Sequence, residues 1–213
     1  MVAPSSTVVD IGAHKGLYSY ELSRLVGPEG RVHAFEPQAR LARYLRRAFR
    51  DDARVVVHEN ALSDSSGVRT LSIPDRGKGL VLGHATLEVQ HGAHNESVET
   101  HCLDELGLSP SYMKIDVEGH ELAVLKGSMT TLARAHPVVQ IEIVRDGLQS
   151  CENCSAILEL FDSLGYRACF VDEHATLQGF DGARLLVPDD PIADDRYAYN
   201  FVFTRIDQHS TAE

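Results

Sequence analysis

The sequence is short of positive charge. Its 213 residues hold 20 Lys and Arg against 31 Asp and Glu, a formal net charge of −11. That balance argues against a nucleic-acid partner, whose backbone needs clustered cations, and a small or neutral substrate fits better. The chain also lacks any apolar run near the roughly 20 residues of a membrane span. Its first residues, M-V-A-P-S-S-T, have neither the basic nor the hydrophobic character of a secretion signal. A cytoplasmic protein with no membrane partner is expected. Cysteine is sparse: of Cys102, Cys151, Cys154 and Cys169, only C-E-N-C at 151–154 has a suggestive spacing, and zinc would want two more ligands. Cys102 and Cys169 sit in apolar, strand-like segments, where a free cysteine is commonly a small buried hydrophobe. There is no internal repeat or low-complexity tract. What is present is 43% apolar content, enough for one packed domain over residues 1–213 and too little for two.

The most informative stretch is V-V-D-I-G-A-H-K-G at 8–16, which joins an apolar run to a glycine turn and then to a helix. Thr7, Val8, Val9 and Ile11 supply a strand buried on both faces, as in parallel sheets. Gly12 can take positive φ and lets a ligand approach the backbone, while Leu17, Leu22, Leu25 and Val26 recur at helical spacing. The first free N–H groups of that helix would face an anionic ligand group. A third glycine is missing, however. The dinucleotide fingerprint G-x-G-x-x-G lays a pyrophosphate on the helix start, and here only Gly12 and Gly16 are present, with Ala13 and His14 between them. The form D-x-G-x-x-x-G resembles the first motif of class I S-adenosylmethionine methyltransferases, in which Asp10 would answer the cationic amino group of the ligand. The plain alternative is a strand-to-helix turn whose glycines serve tight geometry alone.

Further along, R-V-H-A-F-E-P reads as a short strand ending at Glu36, followed by Pro37. An acid at the end of the second strand is placed to accept hydrogen bonds from both ribose hydroxyls of a nucleoside, or else is a strand-end carboxylate before a proline turn. Residues 38–50 read as a helix with Arg40, Arg43, Arg46, Arg47 and Arg50 on its solvated side. A third strand at 54–58 leads to Asn60 and Ala61, where a third loop would line an adenine. Between Ser63 and Leu103 the strand-helix alternation stops, and an insertion with strand-like ends forms either a loop over an active site or a surface hairpin. The alternation returns with S-Y-M-K-I-D-V-E-G-H-E-L-A-V-L-K-G, a strand ending at Asp116, a tight turn, and a helix. Lys114, Glu118 and His120 lie close by. P-V-V-Q-I-E-I-V at 137–144 is another buried strand with Glu142 near its end. Two carboxylates thus reach one sheet edge, where acids can hold a hydroxyl, accept its proton or bind a hard cation. They could instead cap the following helices. A helix at 153–164, a strand at 167–171, an acidic loop and a last strand at 197–204 complete the chain.

With V-V-D-I-G-A-H-K-G-L-Y-S, H-A-F-E-P, N-A-L-S-D, M-K-I-D-V-E-G-H-E-L-A-V-L-K-G and V-V-Q-I-E-I in this order, the chain resembles the FkbM-type methyltransferases over roughly residues 7–205. These are class I S-adenosylmethionine-dependent enzymes, many of which methylate hydroxyls on sugars or polyketides. The resemblance implies an α/β, Rossmann-like, doubly wound seven-stranded sheet with its last strand antiparallel, plus an inserted β-hairpin at about 64–103. It implies S-adenosylmethionine as cofactor and a hydroxylated small molecule as substrate. Asp10, Gly12, Ala13, Gly16 and Ser19, with His14 beside them, would hold the methionyl end; Glu36 and Pro37 the ribose; Asn60 and Ala61 the adenine side. Asp116 would stand at the methyl-transfer face, with Glu142 as second acid and His120 as alternate base. A metal-free route is expected, since no third protein oxygen suggests itself as a ligand. The chain starts six residues before the first strand, without the N-terminal helices that often cover the cofactor in such enzymes. Residues 74–101, residues 174–196 or a second copy of the chain must then close the site. The rival from another class is a nucleoside-binding partner subunit that performs no chemistry. A hydride-transferring enzyme is weaker, because no proton donor and nicotinamide pocket can be named.

Overall fold

The structure, a computed structural model, describes residues 1–75, 84–88, 93–143, 148–171, 177–179 and 200–205. Runs of Val and Ile form its centre. The first half contains β1 (Thr7–Ile11), α1 (Leu17–Val26), β2 (Arg31–Phe35), α2 (Ala39–Ala48) and β3 (Val55–His58), then β4 (Ala61–Leu62), β5 (Gly67–Pro74) and β6 (Ala93–His101). After a 3-10 turn at Leu103–Leu106 come β7 (Tyr112–Ile115), α3 (Glu121–Lys126), α4 (Met129–Ala135), β8 (Val138–Glu142) and α5 (Leu148–Ser163). The chain closes with β9 (Tyr166–Val171), β10 (Leu177–Gly179) and β11 (Asn200–Arg205).

The main sheet has the order β10-β9-β11-β8-β7-β1-β2-β3. β3, β2, β1, β7 and β8 are parallel neighbours, while β11 lies antiparallel between β8 and β9. This is the doubly wound sheet with a reversed last strand that the alternation predicts. β10 adds an eighth strand on the β9 edge, within a stretch the sequence reading leaves as loop. From β1 the chain winds outward through β2 and β3, then returns to β7 on the other side. The crevice outside the carboxyl ends of β1 and β7 is therefore a topological switch point, where ligands bind in open α/β sheets.

Alternate residues of the central strands feed two cores. Val9, Ile11, Met113, Ile115, Val139 and Ile141 pack with Leu125, Leu132, Ile157 and Phe161 from the helices after β7 and β8. Val8, Val32, Tyr112 and Val138 pack on the other face with Leu22, Val26 and Leu45 of α1 and α2. Burial on both faces explains why the strands read as continuous apolar runs. The short α4 gains its N-terminal cap from elsewhere: Asp104 in the 3-10 turn accepts the backbone N–H groups of Thr130 at 2.9 Å and Thr131 at 2.7 Å.

The insertion forms a separate three-stranded sheet, β4-β6-β5, in which β5 and β6 are the predicted antiparallel pair and β4 joins parallel to β6. Leu71, Ile73 and Val98 make its small core, with Ala85 and Leu87 packed against it. Ser72 and Thr86 exchange backbone hydrogen bonds of 2.8 and 3.0 Å, which fastens the 84–88 segment to β5. Among the described residues no helix is long and apolar enough to cross a membrane. Cys102 and Cys169 are free thiols and Cys154 is buried; the Cys151 side chain, and most of the 174–196 stretch, lie outside the described residues.

Candidate functional site

The turn after β1 is built around glycine. Gly12 has φ +80°, and a Cβ there would come within 1.8 Å of the Asp116 carbonyl oxygen, so β1 and the end of β7 can approach only with no side chain between them. Backbone bonds fix the turn to both neighbours: Asp116 N–H donates to Ile11 C=O at 3.0 Å, and the N–H groups of Gly12 and Ala13 both donate to Phe35 C=O at 3.0 Å. Gly16, with φ +81°, opens α1 and as a glycine offers no side-chain cap; in the first turn the Ser19 backbone N–H is bonded by Asp10 instead.

Beneath this turn Asp10 is fully buried. Its Oδ2 accepts the Ser19 hydroxyl at 2.5 Å, while Oδ1 has no hydrogen-bond partner. Burial pushes the Asp10 carboxyl above the usual carboxylate range, against the pull of the Lys114 charge and the Ser19 bond. A buried carboxylate oxygen without a donor costs free energy, and such a group points to a missing ligand donor.

At the end of β2, Glu36 is 3% exposed. Its Oε2 accepts the His14 N–H at 2.8 Å and its Oε1 the Gln38 N–H at 2.9 Å, so the carboxylate ties the β1 and β2 loops together. Burial raises its pKa to about 7 despite those two bonds. A cleft opens beside it. Gly12 and His14 of the first turn line it, with Phe35, Glu36, Pro37 and Gln38 from the end of β2 and Ala61 and Leu62 of β4. Asp116, Val117, Glu118 and His120 from the turn after β7 and Glu142 of β8 also line it, as do Leu71, Ala85 and Leu87 of the insertion.

The acidic side of the cleft has a fixed arrangement. Asp116 Oδ2 accepts a 2.7 Å bond from the Lys114 ammonium. Glu142 is held above the ordinary glutamate range by burial and by the charge of Asp116. Glu118, which has φ 48°, meets His84 at 3.4 Å across the cleft. His120 is 4% exposed; its Nε2 bonds Ser63 Oγ at 2.9 Å and its Nδ1 meets Glu88 Oε1 at 3.1 Å. With both ring nitrogens engaged, His120 anchors the inserted sheet to the turn after β7. Among the described residues no group of three or more His, Cys, Asp or Glu could hold a metal ion.

Of the residues singled out from sequence, the fold gathers Gly12, His14, Glu36, Pro37, Ala61, Asp116, His120 and Glu142 at this cleft. Asp10 and Ser19 lie buried below it, and Ala13 and Gly16 belong to the turn itself. Asn60 does not line the cleft; its amide donates to the Ala61 carbonyl at 3.1 Å. Sequence reasoning passed over Gln38, Tyr18, Ser63 and Gln140. Gln140 had a signal, a polar residue inside the apolar run V-V-Q-I-E-I. Its Oε1 accepts the Tyr112 hydroxyl, and its amide donates to Tyr18 Oη at 3.1 Å and Asn200 Oδ1 at 2.9 Å.

Comparison with known proteins follows the same lines. The structure is similar to a methyltransferase FkbM from Methylobacillus flagellatus KT, at TM-score 0.57 and 18% identity, covering 93% of this chain and 43% of that one. The chain thus spans less than half the length of that protein. Fibrillarin from Aeropyrum pernix, crystallised with natively bound S-adenosyl-L-methionine, is similar at TM-score 0.52 and 13% identity, over 95% of this chain and 67% of that one. At such identities the likeness is one of fold. A search of curated protein sequences finds no match. The sequence profile of the Methyltransferase FkbM domain, however, matches residues 10–168, well over half of the chain. That match spans the glycine turn, Glu36 and both acids of the cleft, and by it the chain belongs to the FkbM methyltransferase family.

Proposed function

We propose that this chain is an S-adenosylmethionine-dependent methyltransferase that methylates a hydroxyl of a sugar or another small natural product. The observation that carries the cofactor reading is Asp10, a fully buried carboxylate with one oxygen lacking a partner, under the turn at the switch point. The residues present fit the group. Asp10 Oδ1 can accept an ammonium N–H, the glycine turn admits a ligand close to the backbone, and Glu36 stands where a ribose diol can donate to it. Phe35, Ala61 and Leu62 offer an apolar wall of the kind an adenine ring needs. The cofactor supplies an electrophilic methyl group on a sulfonium.

The chain's own residues must hold the acceptor oxygen in line with that methyl and manage its proton. Asp116 and Glu142 both line the cleft, close enough for the Asp116 charge to act on Glu142. Asp116 is the first choice to receive the hydroxyl hydrogen bond, with one of its oxygens already fixed by Lys114. Asp116 takes that proton as the oxygen–carbon bond forms, and Glu142, whose carboxyl sits above the ordinary range, is the second acid. His120 acts one step back, through Ser63 and Glu88, on the shape of the turn. Hydroxyl as acceptor comes from the family resemblance, and two acids lining one cleft support it.

The rival reading, a nucleoside-binding partner without chemistry, has no use for both acids at the cleft. Calorimetric titration with S-adenosylhomocysteine and with NAD tests the cofactor; tighter NAD binding would overturn the reading. Methyl transfer from labelled cofactor to a panel of sugars and hydroxylated small molecules, with and without EDTA, tests the chemistry. Transfer to a hydroxyl that survives EDTA is the expected result, and cofactor binding with no transfer to any acceptor would favour the partner subunit.

A further inference from the structure

We infer that Lys114 is a positioning residue whose ammonium sets how strongly the site prefers a cationic cofactor over its neutral thioether product. This rests on the cofactor reading above. Among the described residues Lys114 is the one Lys or Arg that is buried, at 2% exposure. Burying an ammonium costs several kcal/mol unless its partners are well placed, and here two partners meet it, the Asp116 carboxylate and the Tyr18 ring. The strand register sets Lys114 on β7 between Asp10 on β1 and Gln140 on β8, all on one face of the sheet. Its Nζ donates to Asp116 Oδ2 at 2.7 Å and lies 4.4 Å from the centre of the Tyr18 ring on α1. The ring is itself held by the 3.1 Å bond from Gln140 to its hydroxyl. The Lys114 charge also acts on Asp10 and Glu142, lowering the tendency of each to take up a proton.

One buried cation therefore stands among three carboxylates, two lining the cleft and one under the glycine turn. Its arrangement does two things. It fixes one oxygen of Asp116, and it cancels one unit of negative charge beneath the place where a sulfonium loses its charge on transfer. Without that cancellation the acids would bind the cationic cofactor too well relative to its product, a preference that stabilises the ground state and opposes the reaction.

The test compares binding of S-adenosylmethionine and S-adenosylhomocysteine by calorimetry in wild type, Lys114→Met and Lys114→Arg, with circular dichroism as a check on folding. In Lys114→Met the ratio of the two affinities should move toward S-adenosylmethionine on the order of tenfold, the effect of one uncompensated unit charge about 12 Å away at an effective dielectric of about 20. Lys114→Arg should keep the wild-type ratio. A purely structural role weakens both ligands by the same factor, and an unchanged ratio in Lys114→Met would overturn the proposal. If Lys114→Met does not fold, Tyr18→Leu opens the ammonium to solvent screening from the α1 side and should move the ratio the same way by a smaller factor; no movement there also overturns it. Failure of wild type to bind either ligand would instead refute the cofactor reading.

Discussion

At Glu36 hydrogen bonding and burial pull in opposite directions, and burial prevails. The folded pKa of about 7 lies above the ordinary value of 4.5, so the folded protein keeps a proton that the unfolded chain has released. Stability is thus greatest below pH 4.5 on this account and falls as pH rises through 7, by at most about 3 kcal/mol. Urea denaturation at pH 5 and pH 8 should show that fall in wild type and not in Glu36→Gln. Ribose hydroxyls donate to the ionised form, so S-adenosylhomocysteine affinity should rise as pH passes 7, with proton release seen by calorimetry in buffers of different ionisation enthalpy. A flat affinity would remove Glu36 from the ligand contact. The two glycines of the first turn separate in the same way. Gly12→Ala drives a Cβ into the Asp116 carbonyl at a left-handed backbone position, and should cost more than about 3 kcal/mol in urea denaturation. Gly16→Ala carries the same left-handed strain but meets only the ends of the Leu45 and Phe49 side chains, which can shift, so a smaller cost of about 2–3 kcal/mol is expected.

Elements were legible where side chains repeat with a period and obscure where they do not. The Val and Ile runs of β1 and β8 declare buried strands, and the acids Asp10, Glu36, Asp116 and Glu142 at or near the ends of β1, β2, β7 and β8 declare a site. β10 is three residues, L-Q-G, with no alternation to reveal it. The 84–88 segment reaches the cleft through the two bonds between Ser72 and Thr86, a pairing that no residue pattern encodes. The same holds for Ser63, Glu88 and His120, which lie 57 and 32 residues apart and meet only through the fold. The cap on α4 was equally hidden, because Asp104 precedes the helix by a strand and another helix, β7 and α3. Burial works against the Asp104 charge, but its hydrogen bonds with Thr130 and Thr131 outweigh that and hold the carboxyl below its ordinary range. Its contribution is therefore present above the ordinary aspartate pKa and lost as pH falls through the folded value. Asp104→Ala should cost about 1–2 kcal/mol at pH 7, and the gap between variant and wild type should close in urea titrations as pH falls below the ordinary aspartate range.

For the whole molecule, a ligand that binds only the folded state adds its binding free energy to stability. At a hundred times its Kd, S-adenosylhomocysteine should add about 2.7 kcal/mol and raise Tm by roughly 5–11 °C for a chain of this size. NAD at the same concentration should leave Tm unchanged, and a larger shift with NAD would count against the proposed cofactor. The reversed strand β11 carries a consequence for how the protein is made. It fills the gap between β8 and β9, with Asn200 opposite Glu142 and Arg205 opposite Tyr166. During synthesis, β8 must therefore wait for a partner some sixty residues behind it, which at translation speeds of about 5–20 residues per second is roughly 3–12 s. Over about the last thirty residues of that interval, once β9 has been made, the growing chain presents two unpaired strand edges at once, each a template for joining a neighbouring chain. A ribosome that stalls before codon 200 leaves a polypeptide with its cofactor-side motifs complete and its sheet open, and such truncated chains should pellet as aggregates when released.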